Sequence, residues 1–293
     1  MESLTKKTRK NNQGLTSNDL DYIARLSPSR VSSPKDLQAW SNQANWEEDR
    51  WPQQPGRYQF LGHMEQHNAD PNWPYFEYEI NDSGFRGAWP NSDAQDITLL
   101  LGCSFTFGEG LDKPDTFWGM LDQALPGHVI NLGVPGAGHT QIAELLWAAA
   151  RAWPGATRAL ITWPNITRFH YITERHKIWP IHPHQDHAHD PNFVKVYQNF
   201  WSAWSDASVW HQFARSVELA ELVAQSHSIK LYHGTWGGGE PMDIIRSVSG
   251  KPTIPFAYAE LGKAIDVARD GHHPGRKQNS AYADLVLEAF NAE

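Results

Sequence analysis

The sequence is poor in the features that would assign it to several common classes. Cys103 is the only cysteine among 293 residues, so no intrachain disulfide can form and a reducing compartment fits. There is no basic excess: the formal net charge is −8, which argues against a nucleic-acid-binding surface. No apolar run reaches the length of a membrane-spanning helix, and the N-terminus lacks the apolar core of a secretory signal. The expectation is a cytoplasmic protein with neither a membrane nor a nucleic acid as partner. Its length suits one large domain with an appendage, or at most two domains.

What is present falls into three parts. Residues 1–36 are polar, mixing Lys6, Lys7, Arg9 and Lys10 with Ser, Thr and Pro, and are expected to form a mobile arm. Residues 37–92 carry Trp40, Trp46, Trp51, Tyr58, Phe60, Trp73, Tyr75, Phe76, Tyr78 and Trp89 between prolines and glycines. This pattern predicts an aromatic-rich extension packed on the main domain, with a strand near residues 75–80 before the turn signal Asn81-Asp82-Ser83-Gly84. From residue 93 to 293 strand and helix patterns alternate, interrupted by an insertion at about 166–209.

The alternation predicts strands at Ile97–Leu101, His128–Leu132, Arg158–Trp163 and Ile229–Trp236. Between and after them lie helix patterns: one opening near Asp115 as N-cap, one over Thr140–Trp153, one over Phe213–Val223, and a closing helix with Tyr282, Leu285, Val286 and Ala289 on its face. The α/β pattern implies a mostly parallel sheet covered on both sides.

The run Ile97-Thr98-Leu99-Leu100-Leu101 stops at Gly102, and Ser104 follows at the carboxyl end of the strand, where ligand crevices form in open α/β sheets. Ser104 reads either as a nucleophile or as a helix N-cap. Gly102-Cys103-Ser104-Phe105-Thr106-Phe107-Gly108, Asn131-Leu132-Gly133-Val134-Pro135-Gly136, Trp163-Pro164-Asn165 and Asp270-Gly271-His272-His273-Pro274 occur in that order. Together they resemble the four blocks of the SGNH hydrolases, the GDSL esterase family, with Cys103 where that family usually has Asp. Asn81-Asp82-Ser83-Gly84-Phe85-Arg86-Gly87 is similar to a lead-in found in one branch. The resemblance spans roughly residues 80–290.

It implies a three-layer α/β/α sandwich with a mostly parallel, flavodoxin-like sheet, and ester chemistry that needs no metal or cofactor. Ser104 would be the nucleophile, His273 the base and Asp270 its orienting carboxylate, while the N–H groups of Ser104 and Gly136 and the side-chain amide of Asn165 would hold the oxyanion. Nothing in residue chemistry separates His272 from His273, and Asp266 stands near enough to compete with Asp270. A reactive Cys103 is a further alternative to a buried structural thiol.

Residues 166–209 match no block. His170, His176, His182, His184, His187 and His189, with Asp186 and Asp190, invite a metal reading, but Pro180 and Pro183 favour a loop that shapes the substrate site. Trp163, Trp179, Trp201 and Trp204 are candidates to line it or to be core. The expected function is hydrolysis of an acyl ester, with O-acetyl groups of a carbohydrate favoured by the aromatic surroundings. The alternatives are acyl transfer from the same acyl-enzyme, and a binding module of this fold without activity.

Overall fold

Five short apolar runs form the strands of one parallel sheet. In the computed structural model, which describes residues 27–37, 56–61, 75–172, 178–181, 202, 204–235, 239–256, 265–270 and 273–292, these are β3 (Ile97–Gly102), β4 (His128–Gly133), β5 (Ala156–Trp163), β8 (Lys230–Thr235) and β9 (Thr253–Pro255). Their order is β4-β3-β5-β8-β9, so the chain moves from β3 to one side for β4 and then crosses to the other for β5. This is the flavodoxin-like order, with its switch point beside the end of β3.

Residue alternation splits β3 between two cores. Ile97, Leu99 and Leu101 face one layer with Ile142, Leu146, Phe213 and Val217, while Leu100 faces the other with Phe117, Leu121, Tyr282 and Val286. Every residue of β3 is therefore buried, which explains why the strand reads as a continuous apolar run rather than an alternating one. The first layer is built by α3 (His139–Ala152), α4 (Asp206–Ser226) and α5 (Glu240–Ser249), and the second by α2 (Phe117–Ala124) and α6 (Arg276–Asn291). The three layers expected from sequence are present.

Outside this sheet, β1 (Gly56–Leu61) pairs antiparallel with β2 (Tyr75–Ile80), and β6 (Phe169–Ile172) with β7 (Ile178–Ile181). Phe76, Tyr78 and Ile80 of β2 pack on Phe107, just beyond the end of β3. Among the described residues no helix is long and apolar enough to cross a membrane.

Several expectations need correction. Thr116, not Asp115, caps α2, its hydroxyl accepting from Gly119 N, because Asp115 is drawn into ion pairs with Arg269 and Arg276. Leu285 is 36% exposed on α6, whereas Tyr282 and Val286 are buried. Val31, placed by sequence in the polar arm, is buried in the first core layer, and its carbonyl accepts from Arg151 Nε at 2.6 Å. Residues 1–26 of that arm lie outside the described residues.

The carboxyl ends of three strands form one row, Gly133–Gly102–Thr162. A β-carbon on Gly133 would overlap the backbone nitrogen of Phe107. Gly133→Ala is therefore expected to lower stability by about 1–3 kcal/mol, seen as a lower urea midpoint at unchanged slope. Glu218→Ala, on the exposed side of α4, should stay within about 0.5 kcal/mol of the parent.

Candidate active site

Beyond Gly102 the chain turns immediately into a single-turn helix, α1 (Ser104–Phe107). Cys103 occupies its N-cap position in extended conformation without a capping side-chain bond, and Ser104 is the first helical residue, so Ser104 is not itself the cap. The helix ends at Gly108 in the left-handed region, φ 81°, with Gly108 N donating to Ser104 O at 2.9 Å. Ser104 is 4% exposed and Cys103 is fully buried.

The side chain at 103 does not brace this turn; two polar side chains do. Asn131, on β4, donates from Nδ2 to Thr106 O at 3.0 Å and accepts Gly133 N at 2.8 Å. Arg86 donates to the carbonyls of Phe107, Gly108, Leu111 and Glu77 at 3.0, 2.6, 2.6 and 3.2 Å. Its guanidinium lies 4.3 Å from the ring centroid of Tyr78. Burial lowers the Arg86 pKa to about 10, which leaves it cationic at neutral pH.

The segment carrying Asp270 and His273 folds back on itself through a Val267–Pro274 bridge and a bond from Ala268 N to His273 O at 2.8 Å. Arg269 pins it to the loop after α1, pairing with Asp112 at 2.7 Å and Asp115 at 3.2 Å, while Arg269 N donates to Gly110 O at 3.1 Å. Gly110 has φ 76°, and a β-carbon there would lie 2.8 Å from Asp270 Cγ. Asp270 therefore packs directly on the backbone that follows the Ser104 turn.

Asp270 Oδ2 meets His273 Nδ1 at 2.6 Å, and its Oδ1 accepts His273 N at 3.0 Å. The imidazole lies edge-on to Phe105, ring centroids 5.6 Å apart, which puts it beside the residue that follows Ser104. Its second nitrogen, Nε2, lies 2.9 Å from Glu109 Oε2. Among the described residues no hydrogen bond joins Ser104 to His273. Burial opposes charge on this imidazole, but the hydrogen bonds and charges of Asp270 and Glu109 outweigh it and push the pKa up to about 10.

Of the competing residues, Asp266 is committed elsewhere: its carboxylate accepts Lys277 N at 2.9 Å and Gln278 N at 3.1 Å, capping α6. His272 lies outside the described residues. Gly136, φ 77°, sits half-buried in the loop after β4, and Asn165 is exposed after β5. Asn165 Oδ1 accepts Thr167 N at 3.0 Å and Thr167 Oγ1 at 2.8 Å, a turn that orients the amide through its oxygen. Ser104, Gly136 and Asn165 thus follow the three strands of the Gly133–Gly102–Thr162 row.

Trp163 is core, donating from Nε1 to His233 Nδ1 at 2.9 Å, and Trp204 packs on Phe169. The side chain of His170 in β6, that of Trp179 in β7, His176, His182, His184, His187, His189, Asp186, Asp190 and Trp201 lie outside the described residues. Sequence reasoning passed over Glu109 and gave Arg86 no role. The available signal was that both sit within or beside the matched blocks, each in an apolar setting where a charge needs a partner.

Two outcomes follow. Arg86→Met removes the donors to four carbonyls and should cost about 3 kcal/mol or more in denaturant unfolding. For His273, the folded pKa exceeds the ordinary value, so its contribution to stability is complete below about pH 6.5 and is lost as pH rises through about 10. The difference in Tm between the parent and His273→Gln should accordingly shrink between pH 6.5 and pH 10.

No family model and no curated protein sequence matches the chain. Solved structures similar to it are GDSL and SGNH hydrolases. The psychrotrophic esterase EstA from Pseudoalteromonas sp. is 12% identical over 68% of this chain and 98% of its own, with a TM-score of 0.44. A member of the lipolytic protein G-D-S-L family from Veillonella parvula is 13% identical over 68% of this chain and 100% of its own, TM-score 0.41. The acetyl xylan esterase AlAXEase is 13% identical over 66% of this chain and 98% of its own, TM-score 0.42.

Proposed function

We propose that the chain is a serine esterase that cleaves an acyl ester through a Ser104 acyl-enzyme. The observation carrying this reading is the Asp270–His273 pair, 2.6 Å apart, held against the turn that begins with Ser104 at the switch point of the sheet. In the proposed reaction Ser104 Oγ attacks the ester carbonyl while its proton passes to His273 Nε2. Asp270 accepts Nδ1–H, fixing the tautomer that leaves a lone pair on Nε2. The proton then goes to the departing alkoxide, and water, deprotonated by the same nitrogen, releases the acid and regenerates Ser104.

The N–H groups of Ser104 and Gly136 and the Asn165 amide are assigned to the tetrahedral oxyanion. A glycine at 136 suits close approach of a substrate, and its positive φ is one that a residue with a β-carbon rarely adopts. Trp118, Trp153 and Trp163 are buried, so carbohydrate stacking does not rest on them. An O-acetylated sugar stays the first substrate to screen; an acceptor alcohol in place of water would make the same acyl-enzyme a transferase.

The test is intact-mass detection of fluorophosphonate labelling between pH 6 and 10. A single adduct on the parent, none on Ser104→Ala and a rate at least about 100-fold lower on His273→Ala is expected. Absence of label at every pH in the folded parent favours the binding-module alternative. In an ester assay, Asn165→Ala should reduce kcat about 100-fold or more with little change in Tm.

A further inference from the structure

Glu109 is the charged group in this site that ester cleavage does not require. It is 9% exposed and follows the helix-ending Gly108, and its Oε2 lies 2.9 Å from His273 Nε2. That nitrogen is the one a serine base must present as a lone pair. With Asp270 on Nδ1 and Glu109 on Nε2, both nitrogens face acceptors that carry no proton when ionised, and only the imidazolium supplies two N–H donors. An imidazolium cannot take the Ser104 proton.

We propose that Glu109 is a latch on the base: its carboxylate holds His273 as the cation, and acyl-enzyme formation starts only after Nε2 is released. This rests on the Ser104–His273 reading above. Release is a proton balance without other chemistry: the Nε2 proton passes to solvent, the neutral imidazole no longer binds the carboxylate as an ion pair, and Nε2 is free to accept from Ser104 Oγ. Glu109 is a positioning residue here, acting through His273 rather than on substrate.

The other charged and titratable groups packed around His273 are engaged elsewhere or neutral. Asp270 faces the imidazole from its own loop and Phe105 from α1. Behind Glu109 and Asp270 stands Tyr78 of β2, whose hydroxyl accepts Gly110 N at 2.7 Å and whose pKa burial raises, so it is neutral throughout. Arg86 is spent on backbone carbonyls and the Tyr78 ring, Arg269 on Asp112 and Asp115, and Asp266 on the start of α6.

The experiment pairs two readouts on the full chain. One is the rate of fluorophosphonate labelling from pH 5 to 10 for the parent, Glu109→Gln and Glu109→Asp. The other is the imidazole NMR titration of His273, assigned by the signal lost in His273→Gln. Glu109→Gln should lower the midpoints of both by more than about one pH unit and raise labelling at pH 7 at least about 10-fold, with Glu109→Asp falling between. An unchanged His273 titration overturns the proposal, as does a lower titration midpoint with an unmoved labelling profile. If no variant labels while the titration still shifts, the esterase reading has failed and the latch with it, although the ion pair is real. Should the Gln variant not fold, Glu109→Asp decides: a lower His273 midpoint with faster labelling at pH 7 than the parent supports the latch, and an unchanged midpoint removes it.

Discussion

Between the carboxyl ends of β3 and β4 and the first turn of α1 there is no room for a β-carbon. Side chains at Gly102 or Gly133 would collide with Thr106, the Thr162 carbonyl or the Phe107 backbone, so the helix turn rests directly on the strand ends. That contact gives the turn a single seat. Asn131 then ties it to β4, and Arg86 fills the space behind it, donating to the carbonyl of Phe107 at the helix end and to those of Gly108 and Leu111 beyond it. A buried carboxylate at position 103 is not needed to hold a turn already fixed from both sides.

The same seating positions the charged groups. Because the chain leaves α1 through Gly108 and Gly110, both with positive φ, Glu109 comes up beside His273 and Gly110 leaves space for Asp270. Arg269 then joins the two loops through Asp112 and Asp115. A guanidinium between two carboxylates on the facing loop stabilises one arrangement of the pair, since rotating either loop would strand a half-buried charge. His273 is thus placed by contacts made by its neighbours in sequence.

Histidines elsewhere show how differently the same side chain is used. His233, buried on β8, accepts from Trp163 and donates Nε2–H to Glu221, which also pairs with Lys251. Burial lowers its pKa, and one carboxylate that is shared with a lysine does not reverse that. His273 has two carboxylates and keeps part of its side chain exposed to solvent, and there the carboxylates outweigh burial.

The sequence alone determined the layer architecture. A five-residue apolar run can be buried only on both faces of a sheet, and the helix stripe Ile142, Leu145, Leu146 and Ala149 can face only a core, so their alternation left little choice of fold. Ser104, Asp270 and His273 were singled out by the resemblance of their blocks to a known family; by residue chemistry alone they fit a helix cap and an ordinary turn equally well. Sequence reasoning misplaced the N-cap of α2 at Asp115 and Val31 in a polar arm, and it gave Arg86 no role, because each is decided by a partner distant in the chain. Only the tertiary structure brought Glu109 to His273, across 164 positions of sequence (273 − 109), and so gave the imidazole a second carboxylate partner. Turn chemistry acts between neighbours in the chain and can be read there; electrostatics acts between neighbours in space, which folding alone defines.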